Sequence, residues 1–135
     1  MTKTGAQKKL PKDPSLDVCS VVVNACNDSK AKELVVLRTS GISDLFNYQI
    51  IASANSDRQV QGIANRIAES LEEEGHGTAI IEGLEAGHWV VIDCGDVLAH
   101  VFYGPIREHY NLESLWTKAP RLKLVEKNSG IELSA

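Results

Sequence analysis

Between Gly87 and Phe102 the chain reads GHWVVIDCGDVLAHVF, two apolar runs that meet at Asp93-Cys94-Gly95-Asp96. No other stretch restricts the fold as much. Two strand-like runs on either side of a glycine-bearing turn specify an antiparallel hairpin. With Cys94-Gly95 as a two-residue loop, glycine supplies the positive φ that such turns need. Asp93 then faces Asp96, Val91 faces Leu98, and Trp89 faces His100. Alternation puts Val90, Ile92, Val97, Ala99 and Val101 on one side, and Trp89, Val91, Asp93, Asp96, Leu98 and His100 on the other. The first side is wholly apolar and must enter a core. The second is mixed. Like charges directly opposite one another are unfavourable, so the acid pair calls for water, an arginine, a metal or a partner's basic group. Burying a Trp removes roughly 200 Å² from water, about 5 kcal/mol by area. Trp89 should therefore be covered, either by this chain or by another molecule.

The remaining elements follow from periodicity. Leu16, Cys19, Val22, Val23 and Cys26 form a helical stripe after Pro14, with Ser15 as a candidate cap. Glu33–Thr39 and Asn47–Ala54 read as strands of a hairpin. Val60, Ile63, Ala64, Ile67, Ala68 and Leu71 mark one face of a second helix. Ser56 with Gln59 makes its capping box, and Gly75 is placed to end it. Thr78–Gly83 reads as a short edge strand, and Pro105 opens a short helical region reaching Trp116. The expected class is α/β, a mixed sheet flanked by helices. Residues 1–14 are expected as a flexible basic tail, 15–120 as a single domain, and 121–135 as a C-terminal tail.

At 135 residues, 43% hydrophobic and 24% charged, the chain has the composition of one globular domain. Residues 1–14 hold four lysines against Asp13, a local +3, so the rest carries −7 within the net −4. An acidic body suits a basic protein partner and is a poor match for a phosphate backbone, so no direct nucleic-acid recognition is expected. No apolar run is long enough to span a bilayer. The first residues show neither a signal-peptide core nor arginine, and the expected compartment is the cytoplasm.

Catalytic alternatives leave few traces. Asp93 and Asp96 could bind Mg²⁺ as in a metal-dependent nucleotidyltransferase, but they flank a turn and the preceding candidate loop, Ala52–Ser56, has no glycine. Cys19, Cys26 and Cys94 are odd in number with no C-x-x-C, and read as buried free thiols. Cys94 and His100 would face opposite sides of the hairpin, which disfavours a nucleophilic pair. His76, His88, His100 and His109 form no metal motif, and His100 on a strand is first a hydrogen-bonded structural residue. No metal and no cofactor is expected.

One combination carries more. Glu82-Gly83, Trp89, Asp93-x-Gly95-Asp96, His100, Arg107, Tyr110 and Leu112-Glu113-x-Leu115-Trp116, preceded by NSDRQVQGIANRI, resembles the Iojap-like family, the ribosomal silencing factors. The resemblance runs from about Glu33 to Pro120. It implies a nucleotidyltransferase-like core without catalytic residues, so not an enzyme. It implies binding to the fourteenth protein of the large ribosomal subunit, where the factor blocks joining of the small subunit and lowers translation under nutrient limitation. A homodimer off the ribosome is also implied. Trp89, Asp93, Asp96 and His100 would form the docking face, with Arg107 and Tyr110 beside it. Arg107 would help neutralise the acids; Tyr110 could equally be core, and Leu115 and Trp116 would be core. A generic dimeric adaptor is a further alternative. The first half departs from the family pattern: Arg38 replaces an acid, Asn47 and Gln49 stand for Asp and Phe, and Ala54 for Gly. The details of that region are expected to differ.

Overall fold

A computed structural model describes residues 13–135. Most of the expected basic tail lies outside the described residues. Asp13 and Pro14 begin the first helix instead. Asp13 Oδ1 accepts the Ser15 N–H at 2.9 Å, and Pro14 takes the first helical position, where no N–H is needed. The cap is thus two residues earlier than Ser15, and α1 spans Pro14–Asp28 with Cys19, Val22, Val23 and Cys26 buried.

Among the described residues the main sheet has five strands: β1 (Lys32–Arg38), β2 (Tyr48–Ala54), β3 (Ile80–Glu82), β4 (Trp89–Asp93) and β5 (Val97–Tyr103). Their order is β1-β2-β5-β4-β3. Only β2 and β5 pair in parallel, so the sheet is mixed, as expected. β2 and β5 are central, and β2 is buried at every position. That burial explains its run of Ile and small residues.

Helix α2 (Asp57–Glu73) shows why its sequence was readable. Ser56 Oγ accepts the Gln59 N–H at 3.1 Å, and Gln59 Oε1 reaches back to the Asn55 N–H at 2.8 Å. At the far end the N–H groups of Gly75 and His76 donate to the carbonyls of Glu72 and Leu71, with Gly75 at φ +81. This double bond is the Schellman arrangement, which favours glycine at that position.

α1 and α2 pack on one face of the sheet. They enclose the larger core, which includes Ile50, Val90, Ile92, Ala99 and Val101. The opposite face carries a smaller core around Leu37, Ile51 and Phe102, packed beneath Ile106, Leu112 and Trp116. These come from α3 (Gly104–Tyr110) and a 3-10 turn (Leu112–Trp116), which leave part of this face open. Leu115, expected as core, is exposed on the outer side of that tight turn, while Trp116, also expected as core, turns inward.

Residues 121–135, expected as a tail, are structured. They form a hairpin of β6 (Lys123–Lys127) and β7 (Gly130–Ser134) that packs on α1. Just before it, the Pro120 carbonyl accepts from Arg38 N–H at 2.8 Å and Leu122 N–H donates to Val36 at 2.9 Å, covering the outer edge of β1. Among the described residues no helix is long and apolar enough to cross a membrane.

Candidate functional site

The β4–β5 hairpin exists, but its register differs from the expected one by two residues. Trp89 pairs with Phe102, Val91 with His100, and Asp93 with Leu98. The Cys94 N–H donates to Val97 O at 2.9 Å, so the loop is Gly95-Asp96. Gly95 has φ +89 at the first loop position, where a II′ turn places glycine. Two contacts favour this choice, one within the turn and one from the residue just before β2. Asp93 Oδ1 accepts the Gly95 N–H at 2.9 Å, and the Asp96 carbonyl accepts the Asn47 N–H at 2.7 Å. A shift of two residues preserves the faces, so the apolar side remains core. It does remove the acid pair. Asp93 and Asp96 do not oppose each other, and no compensating cation is needed between them.

On the second face, the helical cover stops at Trp89. Its ring stacks on Phe102 at 4.8 Å between centroids and meets Tyr110 at 5.0 Å. Tyr110 is 56% exposed, and Trp89 is half-buried. Beyond them lie the half-buried Val91 and Leu98, and Ile80 of the edge strand, 65% exposed. Pairing places Glu82 beside Val91 and Asp93 beside Ile80. Among the described residues, Glu82, Asp93 and Asp96 enter no ion pair. The result is an apolar strip with two aromatic rings at one end and unpaired carboxylates at its margin. Gly83, at φ +85, fixes the approach to this strip, because a Cβ there would collide with the Trp89 carbonyl.

His100 is on this face but not at its surface, being only 5% exposed. Trp89 Nε1–H donates to its Nδ1 at 3.2 Å, and its Nε2 lies 3.2 Å from Gln49 Oε1. Burial lowers its pKa to about 4. Arg107 is elsewhere. It is 6% exposed and paired in two-pronged fashion with Glu113, through Nε at 3.0 Å and Nη2 at 3.2 Å. Its Nη1 donates to the Glu33 carbonyl at 2.6 Å and to Ser53 Oγ at 2.8 Å. It therefore ties α3 and the 3-10 turn to the sheet and does not neutralise Asp93 or Asp96. Cys94 packs towards the helix-covered core, away from His100, and burial pushes its thiol up to about 12. That thiol is a poor nucleophile.

The family model described as "Ribosomal silencing factor during starvation" matches residues 12–134. This chain belongs to the ribosomal silencing factor family. A ribosomal silencing factor of Halalkalibacterium halodurans is 41% identical over 108 residues, covering 80% of this chain and 92% of the relative. That of Bacillus subtilis is 40% identical, covering 76% and 87%. A crystal structure of a Chromobacterium violaceum protein, 37% identical, superposes with a TM-score of 0.73 over 75% of this chain and 84% of that one.

Within this silencing factor family member, the departing positions take clear places. Arg38 is exposed and its Nε reaches Ser40 Oγ at 3.3 Å. Asn47 Nδ2, just before β2, donates to Ser15 Oγ of α1 at 3.3 Å. Ala54 is buried where β2 ends. Gln49 is the residue that sequence reasoning missed. Read from the sequence it is only a departure from the family pattern, yet it lies under the open face against His100. A polar residue in a run as apolar as YQIIASA was the available clue.

Proposed function

We propose that this chain is a non-enzymatic translation repressor that binds the large ribosomal subunit through its fourteenth protein and sterically blocks joining of the small subunit, acting in the cytoplasm when nutrients are limiting. The observation that carries this reading is the open half of the sheet face, with Trp89 and Tyr110 beside Val91, Leu98 and Ile80. An aromatic pair on an apolar strip has the make-up of a binding hot spot. Unpaired Asp93, Asp96 and Glu82 suit a basic protein surface, and like charge disfavours a phosphate backbone. Trp89 and Tyr110 are the contact anchors in this reading, and Asp93 and Asp96 are rim contacts. His100 and Arg107 lie beneath the surface. The same face can seat a second copy off the ribosome, so dimer and ribosome would compete for it.

Sucrose-gradient sedimentation of purified subunits tests the proposal. Added protein should co-migrate with large subunits and reduce the peak of joined ribosomes. Co-migration with small subunits, or an unchanged joined peak at saturating protein, contradicts it.

A further inference from the structure

We propose that Gln49 and His100 are positioning residues, which from below the open face set the orientation of the Trp89 indole that a partner meets. The proposal rests on the docking reading above and assigns these two residues a role in it without contact.

An indole N–H can only donate, so His100 Nδ1 must be its acceptor and the single imidazole proton must lie on Nε2. That proton points to Gln49 Oε1 at 3.2 Å, and a carboxamide oxygen can only accept. The three side chains thus form a chain with one direction, Trp89 to His100 to Gln49. At 5% and 4% exposed, His100 and Gln49 are too deep to offer a partner much surface. Burial keeps His100 neutral at ordinary pH, so Nδ1 retains its lone pair. Stacking on Phe102 and contact with Tyr110 restrict the tilt of the indole. Neither decides which edge of the ring turns toward the sheet. The hydrogen bond does, by holding the N–H edge inward. Without Gln49 the imidazole proton has no acceptor at Nε2, and the tautomer carrying it on Nδ1 would set two N–H groups against each other.

Gln49→Met keeps the length and approximate volume of the side chain and removes the carboxamide oxygen. Two readouts apply: the Trp89 indole N–H resonance of the free protein, assigned with Trp116→Phe, and affinity for isolated large subunits. In Gln49→Met the resonance should shift and exchange faster with solvent, and affinity should fall about tenfold. Trp89→Phe, which leaves Gln49 and His100 in place, should lose a similar factor although a ring remains. An indole resonance unchanged in Gln49→Met overturns the proposal, as does wild-type affinity in either variant. Wild-type affinity in Trp89→Ala would instead remove the docking reading itself, whatever the resonance shows.

Discussion

Asn24 of α1 grips the backbone of Ile131 as a neighbouring strand would. Its Oδ1 accepts the Ile131 N–H at 2.8 Å and its Nδ2 donates to the Ile131 carbonyl at 3.2 Å. This pair holds the C-terminal hairpin to the domain, with Ile131 buried beneath. Asn24→Ala strips both bonds and should cost about 2 kcal/mol in urea unfolding. Amide exchange should rise first in β6 and β7. Unchanged exchange there would mean that the apolar contacts alone hold the hairpin.

Tyr110 separates binding from folding better than Trp89 does. Trp89 is packed on Phe102, so its removal also leaves a gap. Tyr110 is more than half exposed and its removal should change stability by less than about 0.5 kcal/mol. Tyr110→Ala should nevertheless weaken large-subunit binding by about 1–2 kcal/mol, measured by titration on isolated subunits. Trp89→Ala should lose about 2 kcal/mol or more. Retained affinity in both would place the contact elsewhere.

The pH dependence of stability has a defined sign. His100 has a usual pKa of 6.5 and about 4 when folded. The unfolded chain takes up that proton first, so stability is complete above 6.5 and declines as pH falls towards 4. The loss approaches about 3 kcal/mol at the lower end. Glu113 acts in the same direction at still lower pH, because its hydrogen bonds to Arg107 hold its carboxyl below the usual range. Urea midpoints measured from about pH 8 to pH 4 check this. In His100→Phe the upper part of the decline should disappear.

Arg107 should behave as a structural pin. Arg107→Leu removes the hydrogen-bond donor from the Glu113 carboxylate, the Glu33 carbonyl and Ser53, and leaves Glu113 only the exposed Arg121 at 3.7 Å. A loss of about 3 kcal/mol is expected, the range for breaking a largely buried pair from one side. Thermal unfolding gives the measurement. A loss below about 1 kcal/mol would show that water replaces the guanidinium.

What could be read in the sequence was whatever rests on local rules. The stripe and caps of α2 lie within one short segment, and so do the alternating faces of β4 and β5. The hairpin register was not local. Cys94-Gly95 and Gly95-Asp96 both contain the required glycine, and the bond from Asn47, far along the chain, is part of what separates them. The terminal hairpin was missed because Leu124, Ile131 and Leu133 are thinly spread among charges, and its anchor Asn24 is over a hundred residues away. The two-residue turn Asn128-Ser129, followed by Gly130, is the local sign of it. Arg107 was misplaced because its partner Glu113 lies across a break in the helix at Asn111, with φ +45, where i to i+4 spacing carries no information.

The covered edge of β1 has an outcome for assembly. Pro120 and Leu122 occupy the Arg38 N–H and the Val36 carbonyl at its far end, and at the opposite border β3 offers only three residues. Neither border provides a template for endless lateral growth. What remains on one broad side is the apolar strip with Trp89 and Tyr110 at one end. A second copy seated on that strip in the isologous manner proposed above would cover both strips at once, so such an assembly would close as a pair.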